Sequence, residues 1–228
     1  MQRYIAAVPT TRPDLLIVAA FAPELAGLRH LLDAELRGTI GASAVACALI
    51  GVGIPNAAAS TVATLSKNRP RALVLVGTAG VYALAAPSLV IGDAVVVRRA
   101  VLVDAAEVDG HGVMPVSIGR AHACAESLGR AIAGPIGPQY DAATTLGVTT
   151  DDAFADRIAA ASGCALENLE VFAVANACAL IGVPFAAVLG ISNRVGSCGR
   201  DEWRQHHLRA GLAACALVER WLTDGAGA

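Results

Sequence analysis

Eight consecutive residues from Pro184 to Ile191 (PFAAVLGI) carry no polar side chain. A strand with one solvated face alternates apolar and polar residues. A run without alternation has to be covered on both faces, as in the parallel sheets of α/β proteins. The stretch before it reads as an apolar helix, Val171 to Gly182, entered from a loop that carries Glu167 and Glu170. The stretch after it, Ser192, Asn193 and Arg194, leaves the end of the strand and is polar. Ligands of open α/β sheets bind outside the carboxyl ends of the strands. A carboxylate and an amide are therefore delivered to one crevice by adjacent elements, and the rest of the chain is expected to complete it.

The 228 residues read as a single domain over 1–228. Hydrophobic residues make up 55% and charged residues 16%, which supplies one large core and argues against disorder. A net charge of −2 gives no electrostatic reason to expect nucleic acid, so a small-molecule partner is the default. The cysteines at 47, 124, 164, 178, 198 and 215 form no Cys-x-x-Cys pair, and most sit in apolar runs. They read as buried, reduced thiols of a cytoplasmic protein. The N-terminal stretch lacks the apolar segment of a signal peptide, and no run is long enough for a membrane span. No His/Cys cluster suggests a metal, no cofactor is expected, and His206-His207 reads as a helix-face pair.

Met1 to Pro13 reads as a loose arm, and Leu15 to Phe21 as the first buried strand. Pro23 suits the first turn of a helix, and Leu25, Leu28, Leu31 and Leu32 recur at helical spacing. Glu24 then falls between a strand's carboxyl end and a helix N-terminus, where it serves a site or complements the helix dipole. A strand from Ala44 to Ile50 and a small-residue helix from Ala57 to Leu65 follow. A third strand, Ala72 to Val76, ends in Gly77-Thr78-Ala79-Gly80, whose glycines let backbone approach a ligand. Neither a Walker loop nor a Gly-x-Gly-x-x-Gly fingerprint is present there. Gly92 to Val103 reads as one long strand bent at Arg98-Arg99, Asp104 to Gly112 as a loop, Gly119 to Ala133 as a helix, and Gly134 to Gln139 as a loop. Thr144 to Thr149 reads as a strand, and Thr150-Asp151-Asp152 as the cap of a helix reaching Ala161. Phe154, on that helix's first turn, is a stacking residue or a core residue. Arg200 to Asp224 reads as a long helix whose apolar content comes largely from Leu208, Leu212, Cys215, Leu217 and Leu222, ahead of a frayed GAGA tail. Strands and helices alternate throughout, which predicts an α/β fold with a mixed, mainly parallel central sheet flanked by helices.

Four of these segments together resemble the nucleoside phosphorylase and nucleosidase superfamily along nearly the whole chain. LIVAAFAPEL is similar to the family's first strand and its acidic end. VGTAG followed by IGDAVV is similar to its glycine-rich turn and Val-Gly-Asp-x-Val-Val strand. TTDDAF is similar to its Gly-Asp-Ala-Phe segment, and ENLEVFAVANACALIGVPFAAVLGISN to its Glu-x-Glu helix and Ile-Ser-Asp strand. The resemblance implies a three-layer α/β/α domain. It puts Glu24 on the carboxylate that activates the attacking water and Glu170 on the one that holds the ribose hydroxyls. It puts Leu169 on a sugar-facing apolar position, Phe154 on the base-stacking residue, backbone at Ala155 along the purine edge, and Thr78 and Gly80 near sugar and base.

The family's Ile-Ser-Asp acid is Asn193 here, and Asn168 stands where adenosine-type nucleosidases carry the first Glu of the pair. An amide donates to purine N7 and O6 but cannot release a proton. Asn193 therefore predicts a 6-oxopurine substrate, and its role is to hydrogen-bond to the leaving base as charge develops. VGTAGVY and GISNRVG look most like the futalosine hydrolase branch. Its substrate is an inosine derivative with a 5′ aromatic carboxylate, cleaved to hypoxanthine in menaquinone biosynthesis. Arg98, Arg99, Arg194 and Arg200 are the nearby cations that could meet that carboxylate, with Arg194 favoured by its place beside Asn193. A methylthioadenosine/S-adenosylhomocysteine nucleosidase is opposed by both asparagines, and a purine nucleoside phosphorylase by the lack of arginines near the first turn. A nucleoside-binding sensor is opposed by Glu24. The resemblance also implies a homo-oligomer, most simply a dimer.

Overall fold

The computed structural model describes residues 12–134 and 137–225. The N-terminal arm expected over 1–13 lies outside them but for its last two residues, as do part of the expected 134–139 loop and most of the GAGA tail.

The continuous apolar runs form the centre of one sheet. Strands β1 (Leu15–Ala19), β2 (Arg37–Ile40), β3 (Ser43–Leu49), β4 (Ala72–Val81), β5 (Ala94–Leu102), β6 (Ala121–Ala123), β7 (Gln139–Thr144), β8 (Leu166–Glu167) and β9 (Phe185–Arg194) all belong to it. The helices are α1 (Ile54–Asn68), α2 (Ala105–Val108), α3 (Glu126–Ala133), α4 (Asp152–Ser162), α5 (Val171–Ile181) and α6 (Gly199–Asp224). Along β1, Leu16 and Val18 pack with α1 and α5, while Leu15, Ile17 and Ala19 pack with α6. Both faces are covered, which is why the run shows no alternation.

The sheet is mixed. The β1·β3, β1·β4, β4·β9, β5·β7 and β7·β8 pairs are parallel, whereas β2·β3, β4·β8, β5·β6 and β5·β9 are antiparallel. Strand β4 pairs with β1, β8 and β9, and β9 also pairs with β5. The circuit β4–β9–β5–β7–β8–β4 therefore closes on itself, and the carboxyl end of β4 lies between β9 and the short strand β8.

Several local readings are corrected. The helix expected after Pro23 is a pair of 3₁₀ turns, Ala22–Leu25 and Arg29–Leu31. Gly27 interrupts the leucine pattern, and a Cβ there would stand 2.5 Å from Cys215 Cβ, so contact with α6 shapes the segment. The expected Thr144–Thr149 strand lies earlier, as β7, because Thr145 Oγ1 closes a turn onto the Gly147 carbonyl at 2.8 Å. The Asp104–Gly112 loop contains α2, and the expected Gly119–Ala133 helix splits into β6 and α3. Helix α6 turns Leu208 and Leu212 outward and presents Ala210, Gly211, Ala214, Cys215, Val218 and Leu222 to the sheet and the first 3₁₀ turn. Small residues are required because a Cβ on Gly190 would stand 2.0 Å from the Ala210 carbonyl. The expected Asp151 cap is present, with its side chain accepting from the Phe154 N–H at 2.7 Å. No helix among the described residues is long and apolar enough to cross a membrane.

Candidate active site

The carboxyl ends of β1, β4 and β9, the N-termini of α5 and α6, and the 3₁₀ turn Ala22–Leu25 enclose a cavity of about 470 Å³. Glu24, Thr78, Gly80, Leu169, Glu170 and Asn193 all line it. Elements distant in sequence thus bring together six of the residues singled out above.

Glu24 is buried at the cavity wall, and donors fix both its oxygens. The Ala20 N–H donates to Oε2 at 3.1 Å, and the Thr78 N–H and hydroxyl donate to Oε1 at 2.9 and 3.1 Å. The Trp203 indole N–H donates to the Thr78 hydroxyl at 3.3 Å, extending the chain of donors into α6. Burial raises the Glu24 carboxyl first, and the charge of Glu170 raises it further. The three hydrogen bonds pull the other way, and it settles at about 7, against an ordinary 4.5. No arginine or lysine forms an ion pair with it among the described residues.

Glu170 occupies the N-cap position of α5, where its Oε1 accepts from the Gly53 N–H at 2.8 Å. Burial raises its carboxyl as well, opposed by the Gly53 and Asn168 hydrogen bonds. Asn168 does the capping: its Oδ1 accepts from the N–H groups of Glu170 and Val171 at 2.9 and 2.7 Å, and its amide donates to the Thr78 carbonyl at 2.9 Å. An asparagine in this place therefore welds the α5 N-terminus to β4.

Asn193 lies within β9, which runs three residues past the apolar stretch. Its Nδ2 donates one hydrogen to the Arg194 carbonyl at 2.9 Å, and its Oδ1 lies 2.7 Å from the Ser192 hydroxyl. The second amide hydrogen is left for the cavity. Two glycines make room for this side chain. A Cβ on Gly80 would stand 2.8 Å, and one on Gly199 3.2 Å, from Asn193 Nδ2.

Five expected residues lie elsewhere. Arg194 is tied to Glu202, its N–H donating to the carboxylate at 2.7 Å and its Nε at 3.0 Å. With Ala155 it lines a second cavity of about 310 Å³ beyond the strand end. Phe154 lines neither cavity and packs under the Arg157 guanidinium, 5.0 Å from its ring centroid. Arg98 and Arg99 are both paired to Asp141. Arg200, the fourth of the expected cations, does line the larger cavity, and Phe21, Trp203 and Arg204 line it as well. Phe21 and Trp203 lie with ring centroids 6.0 Å apart, and His207 stacks on Trp203 at 4.4 Å. One signal in the sequence pointed to Trp203: it is one of only two tryptophans, on the first turns of a helix that follows Asn193. Nothing local pointed to Phe21. Among the described residues no group of three or more His, Cys, Asp or Glu could hold a metal ion.

The chain is 30% identical to the futalosine hydrolase of Thermus thermophilus over 194 residues, 78% of this chain and 81% of that one. Its fold matches a methylthioadenosine/S-adenosylhomocysteine nucleosidase of Colwellia psychrerythraea in complex with adenine, with TM-score 0.80, 21% identity, and 91% and 93% of the two chains covered. It matches the futalosine hydrolase of Helicobacter pylori equally, with TM-score 0.80, 15% identity, and 92% and 97% covered. The family model of the phosphorylase superfamily spans residues 17–223, almost all of the described structure, and the chain belongs to that superfamily.

Proposed function

We propose that this chain is a nucleosidase that hydrolyses the N-glycosidic bond of a 6-oxopurine nucleoside, with futalosine as the substrate. One observation carries the reading: a buried carboxylate near pH 7, Glu24, shares a cavity with a second carboxylate, Glu170, and an amide, Asn193. A general base works best with a pKa near the operating pH, and positioning by fixed donors keeps it in one rotamer. Glu24 takes a proton from the water that attacks the anomeric carbon. Glu170 uses its remaining lone pairs for the ribose hydroxyls, beside Leu169 and Thr78. Asn193 donates to N7 or O6 as negative charge develops on the leaving base. An anionic Glu24 at the attack position disfavours phosphate, which supports water as the nucleophile.

The 5′ substituent lies against Phe21 and Trp203, with Arg200 and Arg204 on the same cavity for a carboxylate. Arg200 keeps the role expected of it, Arg204 takes the one expected of Arg194, and Phe154 and Ala155 drop out of the base-binding set. A role in menaquinone biosynthesis, a cytoplasmic location, a single domain over 1–228 and a homodimer belong to the same proposal.

The test is base release from futalosine, inosine and methylthioadenosine, each with and without phosphate. Phosphate-independent hypoxanthine release, fastest from futalosine, is the expected result. Adenine release from methylthioadenosine at a comparable rate would overturn the 6-oxopurine assignment, and a strict phosphate requirement the hydrolytic one. No release from any of them would leave a nucleoside-binding protein.

A further inference from the structure

Trp203, His207, Gly211 and Cys215 recur at every fourth position of α6 and form one stripe along it. The stripe faces the segment that carries Glu24. The rings of Trp203 and His207 lie 6.0 and 6.2 Å from that of Phe21, centroid to centroid. Gly211 lets the helix come close, since a Cβ there would stand 3.5 Å from Glu24 Cα and 3.7 Å from the Pro23 carbonyl oxygen. The Cys215 thiol donates to the Glu24 carbonyl at 3.1 Å. Helix α6 therefore grips the backbone of the Glu24 turn, and Trp203, at the cavity end of the stripe, reaches the Glu24 side chain through Thr78.

Counting hydrogen bonds shows what that reach does. An ionised carboxylate accepts about four of them. Glu24 Oε1 takes two, from the Thr78 N–H and hydroxyl, and Oε2 takes one, from the Ala20 N–H. The open place is on Oε2, so Oε2 meets the water and Oε1 is the anchor. The Thr78 hydroxyl has a single hydrogen to give. With the indole N–H donating to its oxygen at 3.3 Å, that hydrogen is turned toward Oε1. At 3.3 Å the indole bond is long, so a ligand group that presses the indole toward Thr78 strengthens the chain. The indole is also part of the aromatic wall on which the 5′ substituent is placed above. His207 supports it, stacked at 4.4 Å with its Nδ1 2.9 Å from the Trp203 carbonyl oxygen.

We infer that Trp203 is a positioning residue for the general base: its N–H turns the Thr78 hydroxyl onto Glu24, and a 5′ group packed on the indole tightens that chain. The inference rests on the nucleosidase reading and adds the route by which the 5′ end of the substrate acts at the anomeric centre. The titratable and charged groups around the chain are Glu170, Arg200 and Arg204 on the cavity, His207 against the indole and Cys215 against the Glu24 backbone.

Proton NMR of the indole N–H tests the chain without turnover. Trp203 and Trp221 are the only tryptophans, so the resonance lost in Trp203→Phe is assigned. In the unmodified protein it is expected to shift with a midpoint near pH 7, as ionised Glu24 draws the Thr78 hydrogen, and to stay still in Glu24→Gln. A resonance that does not move in the unmodified protein would overturn the inference. So would one that moves equally in Glu24→Gln, where His207 is left to titrate beside it. Kinetics test the 5′ link. Trp203→Phe keeps a ring and loses the N–H. Its kcat for futalosine is expected to fall about three- to tenfold, the worth of one neutral hydrogen bond, with KM within about twofold and the pH midpoint of kcat raised. For inosine, which has no 5′ substituent, kcat is expected to fall less than about twofold. A raised KM with unchanged kcat would make the indole a wall only, and equal losses for both nucleosides would detach the 5′ group from the base; either result overturns the inference. If neither nucleoside releases base while the resonance follows Glu24, the nucleosidase reading fails and the chain from Trp203 to Glu24 stands.

Discussion

Glu24 and Asp141 are buried alike, each with 4% of its surface exposed, yet their carboxyls move in opposite directions. Burial raises both. At Glu24 only neutral donors oppose it and another carboxylate adds to it, so the value climbs to about 7. At Asp141 burial is outweighed by Arg98 at 2.8 Å and Arg99 at 2.7 Å, and the carboxyl is held below the ordinary aspartate value. The difference is one of partners, since charged groups shift a titration as strongly as desolvation does. Asp141 is neutralised and holds strands together. Glu24 is left basic at neutral pH, facing a cavity. A bulge makes the first arrangement possible: β5 advances one residue against β7 between Val97 and Arg99, so consecutive arginines reach one carboxylate.

Exchanging each carboxylate for its amide separates the two roles. Glu24→Gln is expected to lower kcat for base release by about 10²- to 10⁴-fold, the usual worth of a general base, while hypoxanthine binding changes by less than about threefold. In the wild type kcat should rise with pH toward a plateau above about 7, because only ionised Glu24 accepts the proton. A flat pH profile, or a variant of unchanged rate, would remove Glu24 from the chemistry. Asp141→Asn is expected to leave kcat within about twofold and to cost about 1–2 kcal/mol of stability, moderated by the exposure of both arginine heads. Its contribution is present above the ordinary aspartate range and lost as the pH falls below it, so the destabilisation should shrink in acid. A large loss of rate in a well-folded Asp141→Asn protein would erase the distinction between the two sites.

The smallest expected effect has the opposite sign. A carboxyl raised in the folded state binds protons more tightly there than in the unfolded chain. Wild-type stability therefore falls, relative to Glu24→Gln, as the pH rises from about 4.5 to about 7. After the hydrogen bond that the amide cannot match, a net gain of about 1 kcal/mol remains, or roughly 3 °C in Tm at pH 8. Melting curves of both proteins at pH 5 and pH 8 measure it, and a gap that does not widen toward pH 8 would contradict the raised carboxyl.

The central strands, α1, α4, α5, α6 and the bend at Arg98-Arg99 were legible because each is written in local chemistry: apolar runs, a capping Asp, a glycine after a helix. Strands β2, β6 and β8 were not, since short, half-polar segments become strands only when an edge is offered to them. The site was legible in part. Glu24, Thr78, Gly80, Leu169, Glu170 and Asn193 stood at the ends of readable elements and reached one cavity. Phe154, Ala155 and Arg194 also stood at such ends, but the start of α4 and the Glu202 ion pair hold them elsewhere. Phe21, Trp203 and Arg204 arrive through the packing of α6 against the first 3₁₀ turn, a contact between residues far apart in the chain.

By itself the sequence determined the α/β alternation, the two-sided burial of the central strands and the amide in place of an acid at position 193, because hydrophobic period and residue identity are local properties. Tertiary structure alone decided that Glu24 sits near neutrality and Asp141 does not. It also decided that Glu167 and Asn193 flank a bare glycine and that the arginines beside Asp141 lie outside the cavity. A carboxyl's titration and a hydrogen-bonding row across three strands depend on which distant groups come within a few ångströms, and register and packing set those distances.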